Sequence, residues 1–144
     1  MHGRIWRVTY NGPANLTALA PAARVALAAP TVTPPAAAPL PIPPGATAAQ
    51  VELGGRIFRG EAGGAACGGC HGMDAKGSPL GPDLTTGAWA WGDGSLAAIS
   101  DTIAKGVPAP KRYRAPMPPM GGGSLPPADL AAVSAYVWAI GHKP

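Results

Sequence analysis

The stretch CGGCHG, residues 67–72, contains both cysteines of this 144-residue chain, and a histidine directly follows the second cysteine. Four kinds of site use cysteines at such a spacing: a disulfide, a metal clip, a redox dithiol and a covalently attached cofactor. A disulfide between Cys67 and Cys70 would close too short a loop to stabilise the fold much. A zinc site wants four ligands, and the two histidines besides His71 lie near the two ends of the chain.

The pattern C-x-x-C-H is also the attachment signature of c-type haem. One helical turn would present both sulfurs to one edge of the porphyrin, and the next side chain, His71, would lie beneath the ring as an iron ligand. A thioredoxin-like dithiol needs a preceding strand and a βαβ frame, and neither is visible in the sequence. The motif therefore favours haem, provided that the rest of the chain supplies a second axial ligand and an apolar crevice.

Two further motifs supply what a haem site needs. GPDL, residues 81–84, is a Gly-Pro turn that can direct a backbone carbonyl at Nδ1 of His71, although the same letters also form ordinary turns. MPPMGG, residues 117–122, offers two thioether sulfurs, and methionine opposite histidine raises a haem potential into the range of electron carriers. We favour Met117 as the ligand because the following prolines stiffen its loop, and we expect Met120 to be an apolar wall residue.

Composition agrees with a large buried cofactor. The chain has 21 Gly, 19 Pro and only four Trp, three Tyr and one Phe, which is a thin basis for a core built from side chains alone. The formal net charge is +4, but three arginines precede residue 29 and the remainder is nearly balanced. This distribution argues against a nucleic-acid partner. No uninterrupted apolar segment approaches a length of about 18 residues, so we expect no transmembrane helix.

The first third of the sequence differs from the rest. Residues 1–46 form a weak signal-like segment, with an Ala-x-Ala ending at Ala28, followed by a Pro/Ala-rich stretch that resembles an extended linker. From residue 47 to residue 143 the chain shows helical periodicity with Gly/Pro-rich loops and no convincing strand. N-cap residues, glycine stops and a proline at a first helical position mark the helix ends. The expected helices lie between Thr47 and Gly60, between Ser95 and Gly106, and between Pro127 and Gly141.

With these motifs assembled, residues 47–143 resemble the single-haem class I cytochromes c. The resemblance is carried by GGRIF (54–58), CGGCHG, GPDL, MPPMGG and ADLAAVSAYVWAI (128–140). The stretch GPDLTTGAWAWGDGSLAAISDTIAKG (81–106) in particular resembles the haem domains of the cytochrome c subunits of bacterial high-affinity haem-copper oxidases.

The resemblance implies an all-α class I cytochrome c fold, with three main helices and Gly/Pro-rich loops around one covalently bound haem c. It implies thioether bonds at Cys67 and Cys70, His71 as proximal ligand and Met117 as distal ligand. It also implies that the carbonyl of Pro82 accepts a hydrogen bond from His71.

The resemblance also implies two features of packing. The first and last helices should cross with Gly54 and Phe58 against Tyr136. Trp89 and Trp91 fall where members of this family pack aromatic rings near the haem or its propionates, although both are equally compatible with ordinary core or surface positions.

The function that the resemblance implies is that of a carrier of single electrons and not an enzyme. Because haem attachment in this family occurs outside the cytoplasm, we expect a periplasmic location. We expect Lys111, Arg112 and Arg114, in KRYRAPM (111–117), to steer docking to an acidic redox partner, possible partners being a terminal oxidase and a dehydrogenase. One alternative is a haem peroxidase or gas-binding protein with an opened distal site, where Arg112, Tyr113 or Arg114 would act. Another is a fixed electron-entry subunit of an oxidase or dehydrogenase complex.

Overall fold

The computed structural model describes residues 39–143, so the signal-like segment and most of the expected linker lie outside the described residues. Within this part the chain forms four α-helices and one short 3-10 turn, and its only β-type pairing is an isolated antiparallel bridge. The all-α fold with three main helices is confirmed. None of the helices in residues 39–143 is long and apolar enough to cross a bilayer. The elements are α1 (Ala48–Phe58), α2 (Cys67–His71), α3 (Leu96–Lys105), the 3-10 turn (Pro119–Gly122) and α4 (Pro127–Gly141).

The helix ends follow from local side-chain chemistry. At the start of α1 the Thr47 hydroxyl accepts a hydrogen bond from the Gln50 amide at 3.2 Å, and the Gln50 side chain accepts one from the Thr47 amide at 2.9 Å. This reciprocal pair is the predicted capping box. Ser95 accepts from the Ala98 amide at 3.2 Å at the start of α3, and Gly106 ends that helix with φ of 69°.

Helices α1 and α4 cross, and a glycine of α1 lies at the point of close contact. A Cβ atom at Gly54 would collide with the carbonyl oxygen of Ala132 and lie 2.6 Å from its carbonyl carbon. Next to this contact the rings of Phe58 and Tyr136 meet with centroids 5.4 Å apart. The expected crossing of the first and last helices is therefore confirmed, and it places the fully buried Phe58 at the centre of the fold.

The end of the proline-rich stretch packs against the helices. Pro43 is fully buried, and Leu40 is half-buried against a cluster formed by Val51, Ala135 and Ala139. The amide of Ala46 donates to the Pro43 carbonyl at 3.1 Å, which turns the chain into α1. Among the described residues, packing against the helices therefore includes Leu40 and Pro43, which precede residue 47.

Candidate cofactor site

The CGGCH residues form the single-turn helix α2, so both cysteines and His71 are presented by one short element. Both thiols are free and half-buried, and His71 is only 8% exposed. Burial raises the pKa of the Cys67 thiol, which therefore stays protonated at neutral pH. His142, the other histidine of the described chain, stacks on Trp138 with ring centroids 4.1 Å apart and takes no part in this site.

The imidazole of His71 has a fixed orientation. Its Nδ1 atom lies 3.0 Å from the carbonyl oxygen of Pro82, as the resemblance implied. A Cβ atom at Gly81 would lie 3.1 Å from that nitrogen and 3.0 Å from the Cys70 carbonyl oxygen, so a side chain at this position would push the turn away by a few tenths of an ångström. When Nδ1 donates to Pro82, Nε2 is left as the free ligating nitrogen.

Helix α2 borders a cavity of about 470 Å³ that opens among the loops. The two cysteines, His71 and Met117 all line it. The backbone of Met117 is held by the bridge to Val107, with N to O distances of 2.8 and 3.0 Å in the two directions. The side chains that form the apolar walls come from α1, α3, α4 and the bridge: Phe58, Ile99, Ile103, Val107, Val133 and Val137.

The two methionines of MPPMGG occupy different surroundings. Met117 faces the cavity, whereas Met120 is absent from its lining. The sulfur of Met120 instead accepts a hydrogen bond from the Leu125 amide at 3.4 Å, and its backbone is left-handed with φ of 53°. The structure therefore brings Met117, and not Met120, together with His71 and the cysteines.

The aromatic and basic residues singled out in the sequence also differ in whether they line the cavity. Trp89 and Trp91 both line the cavity, and so do Lys111 and Arg112, whereas Arg114 does not. Trp91 is 40% exposed, and the ammonium group of Lys111 lies 4.9 Å from the centroid of its ring.

Sequence reasoning missed two features of this site. It did not single out Leu80, which is 48% exposed at the edge of the cavity, although its position directly before GPDL was a usable signal. It also did not foresee the contact between Lys111 and Trp91, for which no local pattern exists.

These residues fit a covalently held haem. The cavity has the size of a site for a large organic ligand, and its walls are predominantly apolar. Two thiols stand at one edge, a buried imidazole with a free Nε2 lies in one wall, and a thioether lies in another part of the lining. That donor set is the one that a porphyrin iron with two vinyl attachment points needs.

Comparison with known proteins gives consistent results. Residues 51–141 match the family model described as cytochrome c. A cbb3-type cytochrome c oxidase subunit FixP of Rhizobium etli is 37% identical over 81 residues, covering 54% of this chain and 28% of that protein. A subunit FixPc of Rhizobium leguminosarum bv. viciae is 38% identical over 81 residues, with the same coverage. A subunit CcoP of Rubrivivax gelatinosus is 36% identical over 78 residues, covering 54% of this chain and 23% of that protein. The matches thus span about a quarter of each of these relatives.

Proposed function

The chain belongs to the cytochrome c family of electron-transfer haem proteins, and we propose that it is a periplasmic carrier of single electrons whose iron is bound by His71 and Met117. Haem c, when bound, stores one electron by the change of its iron between Fe(II) and Fe(III). The observation that carries the proposal is the convergence of two cysteines, one oriented imidazole and one thioether on a single apolar cavity.

Each of these residues has a distinct task. Cys67 and Cys70 form the two thioether bonds, and helix α2 sets the spacing of their sulfurs. His71 ligates through Nε2 while Pro82 accepts from its Nδ1. Met117 would be the second protein ligand of the iron; with His71 and Met117 both bound, no iron position would be open to a substrate, which supports the role of a carrier.

The apolar walls support the same role. Buried apolar side chains from α3 and α4, among them Ile99, Ile103 and Val133, line the cavity. Because few polar groups then reorient when the charge of the site changes, the protein pays little reorganisation energy per electron transferred.

Partner recognition is proposed to use the basic residues Lys111, Arg112 and Arg114. Within residues 39–143, none of the three forms an ion pair, whereas Lys105 pairs with Asp101 at 2.6 Å. Unpaired cations beside the cavity favour encounter with an acidic face. The named relatives are subunits of cbb3-type oxidases, which supports a terminal oxidase as a partner, and a dehydrogenase is the other class that fits.

Two observations favour other functions of the same site. Arg112 and Tyr113 line the cavity, so a peroxidase or gas-binding protein would have polar distal groups available if Met117 left the iron. The likeness to oxidase subunits, which the chain matches over about a quarter of their length, favours a fixed electron-entry subunit. Both require the same His71 and the same cysteines, and they differ in whether the distal position opens and in whether the chain binds its partner permanently.

The ligand assignment is tested by visible spectra of the full chain, matured with haem, in both redox states. Substitution Met117→Ala should abolish the charge-transfer band of a methionine-ligated ferric haem, whereas the matched variant Met120→Ala should keep it. Loss of the band in Met120→Ala alone would instead identify Met120 as the ligand. Absence of covalent haem in the wild-type chain would refute the proposed function.

A further inference from the structure

Two loops contribute residues to the lining of the cavity. We call residues 86–94 the tryptophan loop and residues 108–116 the basic loop. Trp89 and Trp91 from the first and Lys111 and Tyr113 from the second contribute to the cavity lining. Both loops are therefore part of the wall that encloses the cofactor.

The basic loop has little support of its own. Within residues 39–143, no hydrogen bond or ion pair involves any residue from 108 to 116. The nearest hydrogen bonds lie at the base of the loop, where Val107 and Met117 exchange two backbone hydrogen bonds of 2.8 and 3.0 Å. Any outward movement of the loop therefore acts directly on the residue that follows it, which is Met117.

One polar contact joins the two loops. The Lys111 ammonium lies 4.9 Å from the centroid of the Trp91 ring, inside the distance of about 6 Å within which a cation is attracted to the face of an indole. In the described part of the chain, no hydrogen bond or ion pair links these loops. Two residues before Trp91, the indole of Trp89 packs against Gly94 and Gly141. The tryptophan loop is thus the better anchored of the two.

We propose that Lys111 and Trp91 form a clasp that keeps the basic loop closed over the cavity and thereby positions Met117. The two residues act as positioning residues, since the clasp acts on the site through Met117. The clasp gives Lys111 a task in addition to its proposed part in docking, which it shares with Arg112 and Arg114. The proposal rests on the proposed function only where it names Met117 as a ligand.

The test is amide hydrogen exchange at Val107 and Met117 in the full haem-loaded chain. Because a cation–π contact at an exposed position is weak, Lys111→Ala and Trp91→Ala should each accelerate exchange at these two amides by roughly two- to fivefold. The double variant should exchange no faster than either single variant, since both remove the same contact. Lys111→Arg, which keeps a cation, should exchange as slowly as the wild type at these two amides. Arg114→Ala, a charge deletion in the same loop, should also leave their exchange rates unchanged.

The amide of Phe58, inside α1, reports opening of the whole fold and should exchange at the wild-type rate in every variant. Unchanged exchange at Val107 and Met117 in Lys111→Ala would overturn the clasp, and so would additive effects in the double variant. Acceleration at Phe58 as well would also overturn it, because the effect would then be global. Failure of the ligand assignment is distinguishable, because it appears in the spectrum of Met117→Ala and leaves the exchange comparison at Val107 intact.

Discussion

The Nδ1 atom of His71 lies 3.0 Å from the carbonyl oxygen of Pro82, and Gly81 is the residue that allows this contact. Helix α2 alone would place an imidazole beside the two cysteines without fixing its ring orientation or its tautomer. The Gly-Pro turn supplies both, because a carbonyl oxygen can only accept and so keeps the proton on Nδ1. Two motifs that are separate in the sequence thus act as one site.

Substitution Gly81→Ala should displace the Pro82 carbonyl, because the added Cβ would lie 3.1 Å from Nδ1 of His71. The lost hydrogen bond lowers the basicity of the imidazole, so the oxidised iron is less stabilised and the reduction potential rises by about 20–60 mV. Potentiometric titration measures the change. Gly69→Ala is the matched control in the same region, since a Cβ at Gly69 meets nothing within 4 Å. Equal potentials in the two variants would contradict the assigned role of Pro82.

Substitution Gly54→Ala should destabilise the fold, although alanine is the better helix former by about 1 kcal/mol. The new methyl group would meet the backbone of Ala132, which cannot move without separating α1 from α4. We expect a loss of about 1–3 kcal/mol in the free energy of unfolding, measured by urea denaturation. Gly55→Ala should cost much less, because its Cβ would first meet the Tyr136 ring at 3.1 Å, and a ring can shift. A larger loss in Gly55→Ala would argue against this account of the crossing.

Substitution Leu40→Ala should lower the free energy of unfolding, because Leu40 packs against both apolar clusters of the domain. For a half-buried leucine we expect a loss of about 1–2 kcal/mol. Ile42→Ala, two residues away and 50% exposed in the wild-type chain, is the control and should change stability by less than about 0.5 kcal/mol. If the two variants were equally stable, residues 40–46 would be a loose linker after all.

Reversal of charge at Arg112 and Arg114 should slow electron exchange with an acidic redox partner. Steering by cations beside the cavity raises the encounter rate, so the Arg112→Glu/Arg114→Glu variant should react about tenfold more slowly at low ionic strength. Added salt should slow the reaction of the wild type but should no longer slow that of the variant. Arg56→Glu reverses a charge on the exposed face of α1, outside the cavity lining, and should react nearly like the wild type. An unchanged salt dependence in the double variant would exclude docking through these arginines.

Local signals made the helices predictable from sequence. The capping box at Thr47, the Ser95 cap and the glycine after Lys105 act within a few residues, so their structural outcome hardly depends on the rest of the chain. The candidate ligands were predictable for another reason, namely that haem attachment demands certain residue types at fixed spacing. Met117 and Met120 could be ranked in the sequence, but only the folded structure shows that Met117 lines the cavity and Met120 does not.

Other features depend on contacts between distant segments, and the sequence could not supply them. Pro43 lies in a stretch whose composition is typical of linkers, yet it is fully buried. The contact of Lys111 with Trp91 joins two loops with no regular periodicity, so no pattern could predict it. Loops of this kind are placed by tertiary packing rather than by propensity.

A redox titration of the full haem-loaded chain, followed by carbon monoxide addition to the reduced form, tests whether the protein is a single-electron carrier with His71 and Met117 both bound to the iron. We expect one reversible one-electron transition, a low-spin spectrum in both states and no carbon monoxide adduct. The same adduct should form readily in Met117→Ala. A five-coordinate reduced wild-type protein that binds carbon monoxide would contradict the account and favour the peroxidase or gas-binding alternative.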